Sequence, residues 1–175
     1  MRIEVVRGDI TGESVDAIVN AANSALVAGG GVDGAIHRAA GPRLAQACAE
    51  ARRTTHPHGL ATGDALVTPA GDLRARWVVH TVGPRAWEHP DGGAELLARC
   101  HRRCLEEGER IGAASVAFPA ISCGAFGWEA PDAAPIAVAA VRAYAAQHPE
   151  SGIERVRFVL FDDATLAAFR AALAT

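Results

Sequence analysis

The chain contains no lysine; all seventeen basic residues among its 175 are arginines. That excludes Schiff-base chemistry, a lysine base and a Walker-type phosphate loop, each of which needs an ammonium group. A basic excess is also missing. The formal charge of −3 argues against a general nucleic-acid or membrane surface. Any anionic ligand must therefore be held by local groups. No apolar run is long enough to span a membrane. Met1 to Arg7 alternates like a strand and lacks a signal peptide's apolar core, so the expected location is the cytoplasm. Cysteine is sparse: Cys48, Cys100, Cys104 and Cys123. Cys100 and Cys104 stand one helical turn apart, but no second pair completes a zinc site. Reduced thiols, no metal and no cofactor are the expectation.

Half of the residues are apolar, enough for one sizeable core, and the length fits one domain over residues 1–175. Strands are expected at Ile3 to Val6, Val15 to Val19, Asp64 to Thr68, Trp77 to Val82, Ser115 to Pro119 and Val156 to Phe161. Helical periodicity covers Ala35 to Ala40, Arg43 to Arg53, Ala94 to Ile111, Pro131 to Gln147 and Ala164 to Ala174. Gly8 to Gly12 reads as a turn, and Thr54 to Gly63 and Arg85 to Gly93 as loops. Strands alternating with helices predict a three-layer α/β domain. In such folds ligands sit beyond the carboxyl ends of the strands.

The organising stretch is Asn20 to Gly41, which holds two asparagines, the glycines Gly29, Gly30 and Gly31, and Asp33. Glycines between a strand and a helix let the backbone approach a ligand. The free N–H groups there favour phosphate. A carboxylate repels phosphate, so Asp33 is expected to point past it, at a sugar or a water. A second glycine loop, Ser122-Cys123-Gly124-Ala125-Phe126-Gly127, also follows a strand directly. Two such loops predict a pyrophosphate gripped from both sides. Asp9 can accept from an adenine amino group or cap its own turn, and spacing favours the cap. Asn20 and Asn23 can meet ribose hydroxyls or cap local backbone. His37 shares a face with Asp33 if the helix has begun by then. His80, within an apolar strand, reads as structural, and Cys123 as a small loop residue rather than a nucleophile. Gly29, Gly31 and Gly34 satisfy G-x-G-x-x-G, but the acidic residue that a dinucleotide site needs about 20 positions on is missing.

Taken together, these segments resemble a macrodomain of the MacroD type. The resemblance rests on Gly8 to Thr11, Val15 to Asn23, Gly29 to Gly41, His80 to Pro84, and Phe118 to Ser122 followed by Gly124 and Gly127. It covers nearly the whole chain in family order. It implies a mixed, mostly parallel six-stranded sheet between helices, and ADP-ribose as ligand. By position, Asp9 would bind the adenine amino group, Ile10 would add a backbone N–H, and Phe161 or Asp162 would lie near the adenine. Ser122 to Gly127 would wrap the pyrophosphate, with Phe126 near the distal ribose. Asn20, Asn23 and Asp33 would surround that ribose, beside Gly30, Gly31 and Val32. The family resemblance further implies metal-independent hydrolysis at the distal ribose. Its substrates would be mono-ADP-ribosylated acidic side chains of proteins or O-acetyl-ADP-ribose, with Asp33 and Asn23 catalytic and Asp33 positioning or deprotonating the water. A monomer without membrane or nucleic-acid partners is expected. The alternative is a non-catalytic ADP-ribose reader. Three departures from the family pattern stand out. Ala28 replaces a glycine and is expected to narrow the backbone approach. Cys123 and Phe126 replace threonine and tyrosine, and Trp128-Glu129 replaces Tyr-Pro; all three departures are expected to change rate and substrate preference more than binding.

Overall fold

The computed structural model describes residues 1–89 and 92–175. Among them, β1 (Arg2–Arg7), β2 (Ala17–Ala21), β3 (Ala65–Pro69), β4 (Trp77–Thr81), β5 (Ser115–Phe118) and β6 (Arg155–Leu160) form one sheet in the order β1-β6-β5-β2-β4-β3. Every neighbouring pair is parallel except β3–β4. The carboxyl ends of β1, β6, β5, β2 and β4 therefore share one edge.

Helices cover both faces. The helices are α1 (Gly31–Ala40), α2 (Pro42–Arg53), α3 (Gly93–Arg110), α4 (Ala130–Gln147) and α5 (Asp163–Ala174). Side chains alternate across a strand, so β2 and β5 feed two cores. Ala17, Val19, Val116 and Phe118 join Leu97, Val138 and Phe169 from α3, α4 and α5 on one face. Ile18 and Ala117 join Ile36, Leu44 and Cys48 from α1 and α2 on the other. Strands buried on both faces explain the continuous apolar runs of the central segments. None of the described helices is long and apolar enough to cross a membrane.

Two element boundaries differ from the sequence reading in ways that matter to the site. α1 starts at Gly31, four residues before the predicted Ala35. Glycine and aspartate are poor helix formers, which hides this first turn from periodicity; tertiary contacts of Asp33 hold it in place. β2 starts at Ala17 rather than Val15, because the Asp16 carboxylate turns aside to accept from the N–H groups of Ala114 and Ser115. The loop predicted over Arg85 to Gly93 gives way to α3 at Gly93, and residues 90 and 91 of it lie outside the described residues.

Candidate active site

A cleft of about 310 Å³ opens at the shared carboxyl edge. One wall is Asn23, Gly29, Gly30, Gly31, Val32 and Asp33, from the loop after β2 and the start of α1. The facing wall is Ser122, Gly124, Ala125 and Phe126, after β5. The two glycine loops thus line one cleft, with Gly83 after β4 between them. A larger hollow of about 550 Å³ lies behind the first loop, lined by Val27, Ala28, His37 and Arg52 among others. Its surface is mainly apolar, with His37, Arg52 and Arg53 as its polar residues, and it has no glycine loop to present backbone N–H groups. Ala28 faces this hollow and does not line the cleft, so its methyl leaves the approach to the glycines open.

Asp33 sits in the first turn of α1 and is 5% exposed. One carboxylate oxygen accepts from the Gly29 N–H at 2.6 Å. The other accepts from the Asn20 amide at 2.7 Å, and His37 Nε2 is 3.5 Å from it. Its first-turn position also sets the side chain at the positive end of α1. Gly34 makes the arrangement possible, since a Cβ there would lie 2.4 Å from the Gly29 carbonyl oxygen.

The two asparagines separate. Asn23 lines the cleft while its amide brackets Val27, donating to that carbonyl at 2.7 Å and accepting from its N–H at 3.2 Å. Asn20 is fully buried beneath the cleft and meets Asp33 and His80 instead of open space.

The second loop turns sharply. Ser122 has φ of 67° and Gly127 has φ of 81°. Gly127 N–H donates to the Gly124 carbonyl at 3.1 Å and Trp128 N–H to the Ser122 carbonyl at 3.1 Å. The N–H groups of Gly124, Ala125 and Phe126 donate to no group among the described residues. Those of Gly31, Val32 and Asp33 open α1, where helix geometry provides no partner. Free donors from both walls therefore meet across one cleft, as an anion requires.

Cys123 is half-buried and packs toward the core. Burial, with Glu129 and Asp162 nearby, pushes its thiol up to about 11. A thiol of that kind is a poor nucleophile at neutral pH.

Phe161 after β6 and Asp9 after β1 lie at the same edge, two and three strands from β2. The register Arg7↔Leu160 places them side by side. Asp9 caps the short 3₁₀ turn Ile10–Gly12, accepting from the Thr11 N–H at 3.0 Å and its hydroxyl at 2.7 Å. Ile10 is buried, whereas Phe161 is 77% exposed.

Sequence reasoning missed the segment that braces the second loop. The Arg85 guanidinium lies 5.1 Å from the centre of the Phe126 ring. Ala86 N–H donates to the Phe126 carbonyl at 2.8 Å. The Trp87 ring lies against Gly127. Trp128 packs against Gly93 at the start of α3. Gly83, within the run His80 to Pro84, approaches the loop so closely that a Cβ there would fall 2.1 Å from the Ser122 hydroxyl. No spacing rule signals any of these contacts; the one available cue was the Gly83-Pro84 pair beside an apolar strand.

Comparison with known proteins agrees with this geometry. The family model described as Macro domain matches residues 19–137. An O-acetyl-ADP-ribose deacetylase of Salmonella newport (strain SL254) is 49% identical over 166 residues, covering 94% of this chain and 89% of its own. The Oceanobacillus iheyensis macrodomain with ADP is similar at a TM-score of 0.93 and 40% identity, covering 98% of this chain and 90% of that one. The Trypanosoma brucei macrodomain in complex with ADP-ribose is similar at a TM-score of 0.86 and 34% identity, over 98% of this chain and 68% of that one.

Proposed function

This chain belongs to the Macro domain family, and from that premise we propose that it binds ADP-ribose and hydrolyses an ester at the distal ribose. The substrates are O-acetyl-ADP-ribose and mono-ADP-ribosylated aspartate or glutamate side chains. The observation that carries the reading is Asp33: a buried carboxylate, held by the Gly29 N–H and the Asn20 amide, at the side of a cleft whose other groups are anion-binding N–H donors. A module that only grips a diphosphate gains nothing from a negative charge there.

On this reading the adenine lies at the β1–β6 end, beside Asp9, Ile10 and Phe161. The pyrophosphate spans the N–H groups of Gly124, Ala125 and Phe126 and those at the start of α1. The distal ribose lies by Asn23 and Asp33, with Gly29 to Val32 on one side and Phe126 on the other, while Asn20 supports Asp33 from beneath. Water adds to the ester, the bond joining ribose to the acyl group breaks, and ADP-ribose leaves with a free carboxylic acid. Asp33 orients the water, and its proton passes to Asp33 or to the substrate's own phosphate. Holding reactants in place can supply a large part of such a barrier.

The test compares wild type with Asp33→Ala on O-acetyl-ADP-ribose and on a glutamate-linked mono-ADP-ribosylated protein. The expected loss is at least about tenfold, ~1.4 kcal/mol of barrier, with free ADP-ribose still bound. Equal rates in both proteins would remove Asp33 from the chemistry. Binding without any release by wild type would make the chain a reader.

A further inference from the structure

We propose that His80 is a positioning residue for Asp33, acting through the side-chain amide of Asn20. Its kinetic test rests on the hydrolase reading above; its structural test does not.

The parallel register of β2 and β4 pairs Asn20 with His80. Paired residues of neighbouring strands project to the same face. Both side chains are buried, His80 at 1% exposure and Asn20 at 0%. Asn20 Nδ2 contacts two acceptors at once: Asp33 Oδ1 at 2.7 Å and His80 Nδ1 at 3.2 Å. Its two hydrogens serve both only if His80 Nδ1 carries a lone pair. The ring proton must then sit on Nε2, which is 2.9 Å from the Thr68 hydroxyl and 3.8 Å from Cys48 Sγ. The Thr68 hydroxyl on β3 can accept that proton, and a His80 ring in this tautomer selects the amide orientation. Burial, with His37 nearby, pushes the His80 pKa down to about 3, so the ring is neutral at neutral pH.

The amide needs this guidance. Among the described residues Asn20 Oδ1 has no hydrogen-bond partner. Only the two contacts of the nitrogen decide which way the group faces. A flipped amide would set its oxygen against the Asp33 carboxylate, acceptor to acceptor. A histidine protonated on Nδ1 would reward that flip, since the amide oxygen could then accept from it. His80 in its Nε2–H form leaves one orientation, the one that donates to Asp33. Residues from β3, β4 and β2 thus make one buried string that ends on the carboxylate at the cleft. Such supporting contacts orient a reacting group without touching substrate.

The test uses His80→Leu, which removes the acceptor; His80→Asn, which can replace it; and Thr68→Val, which removes the hydroxyl that accepts the Nε2 proton. Three readouts are taken. Ring ¹⁵N shifts of the wild type report the His80 tautomer, and a proton on Nδ1 overturns the proposal. The Gly29 amide proton resonance reports the Gly29–Asp33 hydrogen bond. Ester hydrolysis and free ADP-ribose affinity report function. His80→Leu is expected to lower kcat about tenfold while changing ADP-ribose affinity less than about threefold, and His80→Asn to recover most of the loss. A folded His80→Leu protein with kcat within about twofold of wild type overturns the proposal. If His80→Leu does not fold, Thr68→Val decides: an unchanged kcat with an unmoved Gly29 resonance overturns the proposal, and a fall in kcat with a moved resonance supports it. If wild type releases nothing from either ester, the hydrolase reading fails. The Gly29 resonance then decides alone, moving in the variants if His80 positions Asp33 and staying in place if it does not.

Discussion

Gly83 marks how little room the site leaves. An added Cβ would meet the Ser122 hydroxyl at 2.1 Å and Ile121 at 2.8 Å, and both residues are buried. Ser122 already occupies the left-handed region, with φ of 67°, so the second loop has little conformational slack to absorb a methyl. Gly83→Ala is therefore expected to cost ~1–3 kcal/mol of stability by overpacking and to weaken ADP-ribose binding by displacing the loop. Thermal melts with and without ADP-ribose check both effects; a variant that melts and binds like wild type would show that the loop adjusts freely. Asp33 and Asn20 are residue-scale devices of another kind. Each is polar and buried, and neither would be tolerated there without its hydrogen-bond partners.

At the scale of elements, the site depends on where helices begin. α1 starts inside the glycine run, which turns Asp33 from a loop residue into a first-turn residue and brings His37 onto its face. α5 starts beside the exposed Phe161, and its cap is Asp162, which accepts from the Thr165 N–H at 2.8 Å and its hydroxyl at 3.0 Å. Those bonds hold the Asp162 carboxyl below its usual range. Asp162→Ala is expected to cost ~1 kcal/mol, the usual worth of such a cap. Urea denaturation measures that loss, and the rate of ester hydrolysis should be unaffected, because Asp162 lies at the β6 end of the edge and Asp33 at the β2 end.

Over the whole molecule, two neutral histidines are locked inside. Burial pushes His80 to about 3 and His101 to about 4, the latter against a hydrogen bond to the Leu97 carbonyl. His101 stacks on Phe118, and its Nε2 has no hydrogen-bond partner among the described residues. In the unfolded chain both rings take a proton below about 6.5. The folded chain refuses it until far lower, so the unfolded state binds more protons in that window. Stability is thus fully present above the unfolded pKa and falls as the pH drops from about 6.5 toward 3 to 4, by up to ~1.4 kcal/mol per pH unit for each ring. Glu109, lowered by the Ser151 hydroxyl and the Gly152 N–H, adds a loss of the same sign at the acid end. Melting temperature against pH tests this. His101→Leu, which fills the same apolar space without a titrating group, should flatten the acid limb; an unchanged limb would mean that other groups drive it.

Several features were legible from the chain itself because they depend on near neighbours. The strand–helix alternation, the two glycine loops following strands, and the missing lysine needed only local spacing and composition. Six strands, five helices and a shared cleft follow that reading closely among the described residues. What local spacing could not carry are contacts between residues far apart in sequence. Asn20 meets His80, and His80 meets Thr68, only because β2, β4 and β3 adopt their particular register. Arg85 reaches Phe126, and Gly83 reaches Ser122, only because β4 and β5 flank β2 in the sheet. The early start of α1 was hidden for the same reason, since its poor helix formers are held by the tertiary bonds of Asp33. Sequence by itself determined which groups were available and which loops would carry them. The tertiary structure decided which groups meet, because hydrogen bonds and close packing act over a few ångströms in space, however many residues lie between them along the chain.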